Sequence, residues 1–149
     1  MPNHTSLYAN TGFISLLIPA VRTADANSTG LDLQDCDDAV LLFDVGNSAD
    51  TLSGSVYIEL EVEESDDNTN WTDVANADLT NYVTGTNPGT VAVIDAPAED
   101  SNVFAVGYKG SKRYIRGVFN VTGTHSTGTP VGVLGLRGRN RQAPVNAYT

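Results

Sequence analysis

The sequence predicts an all-β protein, an antiparallel β-sandwich or barrel of about nine to ten short strands. Three observations carry that expectation. Short runs rich in Val, Ile, Leu, Phe and Tyr recur at roughly even spacing. Clusters of Gly, Asn, Asp, Ser and Pro separate them, and nowhere do apolar side chains repeat at the 3.6-residue helical period. The most informative stretch is Gly54 to Val74. Val56, Ile58, Leu60 and Val62 alternate with Tyr57, Glu59, Glu61 and Glu63, which puts aliphatic chains on one face of a strand and a polar row on the other. SDDNTN (65–70) then supplies short side chains that hydrogen-bond their own backbone in a tight turn. Trp71 to Val74 returns as the second strand of a hairpin. In this register Ile58 belongs to the core, whereas Glu61 faces solvent and tolerates substitution within about 0.5 kcal/mol.

The other elements follow in order. Residues 1–12 (MPNHTSLYANTG) form an N-terminal arm, too polar and too rich in Gly and Asn to pack as an element. Residues 13–138 are expected to form the β-sandwich domain and 139–149 a basic C-terminal tail. Phe13 to Arg22 is a strand apolar on both faces, with Ile14, Leu16 and Ile18 on one and Phe13, Leu17 and Val21 on the other. Pro19 cannot donate to a ladder and favours an edge. An edge strand with two apolar faces makes Phe13, Leu17 and Val21 interface candidates, against the plainer reading of burial in the core. ADANSTG is a loop, Leu31 to Gln34 a short strand, DCDD a turn, and Ala39 to Val45 a strong central strand. Leu79 to Val83 and Thr90 to Ile94 flank the turn GTNPG. Val103 to Tyr108, Tyr114 to Val121 and Pro130 to Arg137 complete the set, with no internal repeat and no linker.

A length of 149 residues suits one domain with a single core. The start lacks a basic region followed by an apolar one, and the longest apolar run, Phe13 to Val21, is too short to span a bilayer. One cysteine, Cys36, provides no intrachain disulfide, which fits a protein made in a reducing cytoplasm. The net charge of −10 is divided sharply along the chain. All 18 acidic residues lie at or before Asp100, and seven of the eight basic ones lie at or after Lys109. The acidic bulk argues against nucleic acid, whose phosphates need a contiguous basic face. Arg137, Arg139 and Arg141 alternate in sequence, so an extended chain points all three one way. They are candidates for holding an acidic patch on a partner or a neighbouring subunit. In the plainer reading, the acidic and basic halves neutralise each other within the fold.

The sequence offers little chemistry. Asp66, Asn68 and Asn70 occupy the first, third and fifth positions of a calcium loop. Trp71 and Ala77 stand where that motif needs Gly and a bidentate Glu, so the stretch is a turn. The GxxxxG spacing of Gly123 to Gly128 lacks the lysine of a phosphate loop. His4 and His125 lie by no nucleophile elbow, and the carboxylates around Cys36 are expected to raise its pKa. Two histidines and one cysteine make no recognisable zinc cluster. We therefore expect no enzyme, no cofactor and no metal.

The alternating strand followed by ESDDNTNWTDV, the later YIRGVFNVTG and the closing PVGVLGLRG resemble small β-rich structural proteins of tailed bacteriophages, the capsid decoration (cement or stabilisation) proteins. The resemblance covers roughly residues 13–138. It implies a virion protein without catalytic residues, made in the host cytoplasm, that binds the outside of an assembled shell of major capsid protein. It implies no nucleic-acid or membrane partner. The doubly apolar strand adds the expectation of a homo-oligomer, a trimer being the economical choice on a lattice rich in three-fold positions. Two alternatives stand beside it. One is a head–tail or tail component of the virion. The other is a carbohydrate-binding β-sandwich using Trp71, Tyr82 and Tyr108.

Overall fold

In the computed structural model, which describes residues 6–141, ten strands form two antiparallel sheets packed face to face. The strands are β1 (Gly12–Arg22), β2 (Ala26–Asn27), β3 (Leu31–Asp32), β4 (Asp38–Val45), β5 (Tyr57–Ser65), β6 (Thr72–Asp73), β7 (Thr90–Ile94), β8 (Asn102–Gly107), β9 (Tyr114–Thr122) and β10 (Thr129–Gly138). The four-stranded sheet runs β1-β10-β4-β8. In the six-stranded sheet, β9 and β5 lie side by side, with β2 and β3 along the outer edge of β9 and β6 and β7 along that of β5. The predicted β-sandwich is thus the fold observed. Two features go beyond the sequence reading. A five-residue helix, Ser6–Asn10, lies inside the expected arm, and Ala26–Asn27 forms a short strand within the expected loop. One expected strand is absent, since between 79 and 83 only Leu79 forms an isolated bridge, to Tyr108.

The core fills the space between the sheets. Leu41, Phe43 and Val45 of β4, with Val131 and Val133 of β10, meet Ile58, Leu60 and Val62 of β5 and Ile115 and Phe119 of β9, all essentially inaccessible to solvent. Gly117 lets the two layers approach: a Cβ there would stand 2.8 Å from Cε1 of Phe43 and 3.0 Å from Cγ1 of Val133. Each large aliphatic or aromatic side chain contributes roughly 1.5–3 kcal/mol through removal from water.

The hairpin β5–β6 pairs Glu63 with Asp73 and Glu64 with Thr72, as expected. Its turn is closed by local acceptors. Ser65 Oγ accepts the amides of Asp67 and Asn68, and Asp67 Oδ1 those of Thr69 and Asn70, while Asn68 takes a positive φ of 59°. These bonds hold the Asp67 carboxyl far below its ordinary value.

The polar face of β5 is where the sequence reading fails. Glu59 and Glu61 are buried, at 5% and 2% exposure, because the connection between β6 and β7 folds over them. The Thr86 amide donates to Glu59 Oε1 at 2.7 Å, and Asn87 Nδ2 donates to the Glu61 carboxylate at 3.3 Å. Gly89 allows this cover. Its φ is +82°, its carbonyl accepts the Val62 amide at 3.0 Å, and a Cβ would clash with the Val62 carbonyl oxygen. Burial raises the Glu61 pKa, the amides of Asn120 and Asn87 oppose it, and the neighbouring Glu59 charge adds to the rise.

A pH dependence follows from that shift. A carboxyl whose folded-state pKa lies above its unfolded value of about 4.3 destabilises the fold when ionised, and the penalty fades as pH falls through the folded-state value. Glu61→Gln keeps the shape and an acceptor for Asn87 without the charge. It is expected to melt higher than the wild type at pH 7, and the gap is expected to close toward pH 4. Thermal melts across that range check it.

Candidate functional site

The outer face of the four-stranded sheet is apolar. Directly paired residues of antiparallel neighbours share a face, so the register assigns it row by row. One row is Phe13, Leu136 and Val40; the next is Ser15, Leu134, Leu42 and Ala105; a third is Gly132, Asp44 and Val103; and Val21 with Pro130 lies at the end. Val21 is 61% exposed, Val103 54% and Leu134 42%. Nothing among the described residues covers this sheet as the other sheet covers its inner face. An apolar patch of this kind marks a contact surface. Asp44 is the one charged side chain in these rows; the row beyond Val40 holds Gly138 and Asp38, and Asp38 is paired with Arg139. Asp44 is exposed and makes no hydrogen bond or ion pair among the described residues.

The predicted interface residues divide. Among the described residues β1 is an edge strand, paired only with β10, as Pro19 suggested. Phe13 and Val21 lie on the open face. Leu17 does not: it is 9% exposed and belongs to the core with Leu16. The pairing of β1 with β10 slips between Ser15 and Leu17 and again between Leu17 and Ala20. Such irregularities insert extra residues and reset which side a chain points to, so strict alternation along Phe13 to Val21 fails. Ile18 emerges instead as the most exposed large apolar residue of the strand, at 75%.

The three arginines do not form an outward row. Arg137 Nη1 donates to the Asp32 carbonyl oxygen at 3.1 Å. Arg139 pairs with Asp38 at 3.3 Å, and Arg141 with Asp37 at 3.3 Å. The Arg139 backbone turns with a φ of +47°, which ends the extended run on which a common direction depended. Arg113 grips Asp32 through two bonds and holds its carboxyl below the ordinary range. Arg116 pairs with Glu63, and Lys112 with Asp66, both at 2.5 Å. The basic end of the chain is thus bound to the acidic part of the same molecule, which is the plainer of the two sequence readings. The rest of the predicted tail, 142–149, and His4 lie outside the described residues.

Asp37, Asp38, Lys112, Arg113 and Arg141 line a cleft of about 470 Å³ between the turn at 33–39 and the loop at 108–113, where Cys36 sits half-buried. Burial raises the thiol pKa, Arg137 lowers it, and the charges of Asp37, Asp32 and Asp38 raise it further. The direction matches the sequence expectation, although burial is the larger cause. A neutral thiol that donates to the Leu33 carbonyl at 3.3 Å is a poor nucleophile.

His125 is fully buried, with Nδ1 3.6 Å from Asp50 Oδ2 and Nε2 3.1 Å from the Thr122 carbonyl oxygen. Asp50 also accepts the amides of Thr127 and Gly128, so the pair ties the β9–β10 loop to the β4–β5 loop, and the neighbouring Ser126 hydroxyl donates to Asp50 Oδ1 at 3.4 Å and not to the imidazole. Two of the three aromatics considered for sugar binding are already engaged. Trp71 lies under the Arg116 guanidinium, 4.5 Å from its ring centre, and the Tyr108 hydroxyl donates to Glu64 at 2.6 Å. Among the described residues no group of three or more His, Cys, Asp or Glu is placed to hold a metal.

Sequence reasoning missed Leu134, Leu42, Val103 and Asp44 as surface residues. The signal was present: β4 and β10 are apolar at both odd and even positions, as Phe13 to Val21 is. No protein-family model matches the chain, and no match is found among curated proteins.

Proposed function

We propose that the protein is a decoration (cement) protein that binds the outside of a bacteriophage capsid and stabilises it. The observation that supports this reading best is the apolar outer face of the four-stranded sheet, borne on a rigid sandwich. Four strands at about 4.8 Å spacing and eight residues at about 3.4 Å give a plane of roughly 500 Å². That is less than the roughly 800 Å² per partner of a standard stable interface. A contact of this size suits a lattice that repeats it many times, where multiplicity raises effective concentration. The resemblance of the hairpin and closing strands to phage decoration proteins supports taking that lattice to be the major capsid protein. In this reading the protein acts on the virion surface after synthesis in the host cytoplasm, without nucleic acid or membrane. It acts as a homo-oligomer, with a trimer favoured and Ile18 on the free β1 edge available for the subunit contact.

The test is co-sedimentation of purified protein with empty shells, with copies per shell counted and shell melting followed. Saturable binding at many copies, with a higher melting temperature of the shell, is expected. Binding at a handful of copies indicates a head–tail component, and no binding removes the capsid reading. Light scattering of the free protein checks the trimer, and a monomer both free and on shells would contradict it.

A further inference from the structure

We infer that the outer face of the four-stranded sheet docks on a foreign protein surface, an apolar patch with a lysine or arginine set in it, and not on the same face of a second copy. The inference deepens the docking reading above and rests on it. Asp44 sets the kind of partner. It projects from β4 between Gly132 and Val103, with Leu42 two positions along the strand, and it is exposed without a partner among the described residues. The rows around it hold aliphatic and aromatic side chains, glycines, Pro130 and Ser15, and no cation. Two copies packed face to face would remove two Asp44 carboxylates from water with nothing to meet them. Burying an unpaired charge is far costlier than burying a paired one.

A second copy is also badly equipped to bring a cation from elsewhere. Of the eight basic residues, seven hold acceptors of their own chain. Lys112, Arg113, Arg116, Arg139 and Arg141 are in ion pairs, while Arg22 and Arg137 donate to the carbonyl oxygens of Ile18 and Asp32. The molecule retains a net charge of −10, so like molecules repel and a basic surface is attracted. A partner that places an ammonium or guanidinium opposite Asp44, inside an apolar patch, satisfies both the charge and the rows around it. Asp44 thereby works in two directions, selecting the partner and discouraging self-association through the same face.

Three variants on this face test the inference by two readouts. Asp44→Leu makes the face apolar throughout, Asp44→Lys reverses its charge, and Leu134→Lys interrupts it; circular dichroism confirms that each folds. By light scattering, Leu134→Lys is expected to keep the wild-type mass, whatever that mass is, and Asp44→Leu to form larger species at high concentration. A lower mass for Leu134→Lys, or an unchanged mass for Asp44→Leu, overturns the inference. By co-sedimentation with empty shells, Asp44→Lys is expected to bind at least roughly tenfold more weakly than the wild type, since like charges at a contact suppress association. Equal binding overturns it as well. Wild-type protein that ignores the shells removes the capsid reading, and the mass comparison, which uses no shells, still decides the role of Asp44.

Discussion

Ile58→Asp is expected to unfold the protein at 25 °C. Ile58 lies at the middle of the six-stranded sheet, fully buried, paired with Ile94 on β7 and Val121 on β9. The substitution removes a packed aliphatic side chain, for which truncations alone cost about 2–5 kcal/mol. It also places a carboxylate among aliphatic neighbours, which adds several kcal/mol unless the group takes up a proton. Together these approach the roughly 5–15 kcal/mol that holds a domain of this size. Urea melts followed by circular dichroism check it, with Ile58→Val as a control expected to cost only about 0.5–1.5 kcal/mol. Glu61→Lys, harmless by the sequence reading, is expected to cost more than about 1 kcal/mol. It would point an ammonium at the amide donors of Asn87 and Asn120, in a site closed to water. A cooperative native melt for Ile58→Asp would mean that β5 presents its other face to the core.

Arg137→Ala is expected to destabilise the fold by about 2 kcal/mol, because a charge-assisted bond to a part-buried acceptor contributes roughly 1.5–3 kcal/mol. Arg137 belongs to β10, and its guanidinium joins that strand to the β3 segment through the Asp32 carbonyl oxygen. Arg139→Ala and Arg141→Ala are expected to cost less than about 1 kcal/mol each, since their pairs with Asp38 and Asp37 are largely exposed. The triple variant therefore melts lower than the wild type, with Arg137 dominating. An unchanged melting temperature would return these arginines to the role of an outward grip.

The fold was legible where alternation or turn chemistry is strong. β4, β7, β9 and β10 begin and end within a residue or so of their expected positions, because apolar runs there are bounded by Gly, Asp and Asn. β2 was invisible because two residues carry no period, and its pairing with Phe119 and Val118 of β9 is purely tertiary. The burial of Glu59 and Glu61 was equally hidden, since a loop more than twenty residues away supplies the cover. The candidate face was half legible. Phe13 and Val21 were found from a strand apolar on both sides, but the two register slips in β1 that turn Leu17 inward leave no mark in composition. The partners of Arg139 and Arg141 lie about a hundred positions away in sequence, so a charge divided along the chain looked like a charge divided in space.

Whether the outer face of the four-stranded sheet is the docking surface is decided most directly by a cryo-electron microscopy reconstruction of shells decorated with the protein. Density for the sandwich is expected at repeating lattice positions, with β1, β10, β4 and β8 against the shell and a basic side chain of the capsid protein opposite Asp44. Density that places the six-stranded sheet or the Arg139–Arg141 end against the shell, or shells that carry no added density at saturating protein, would contradict docking through that face.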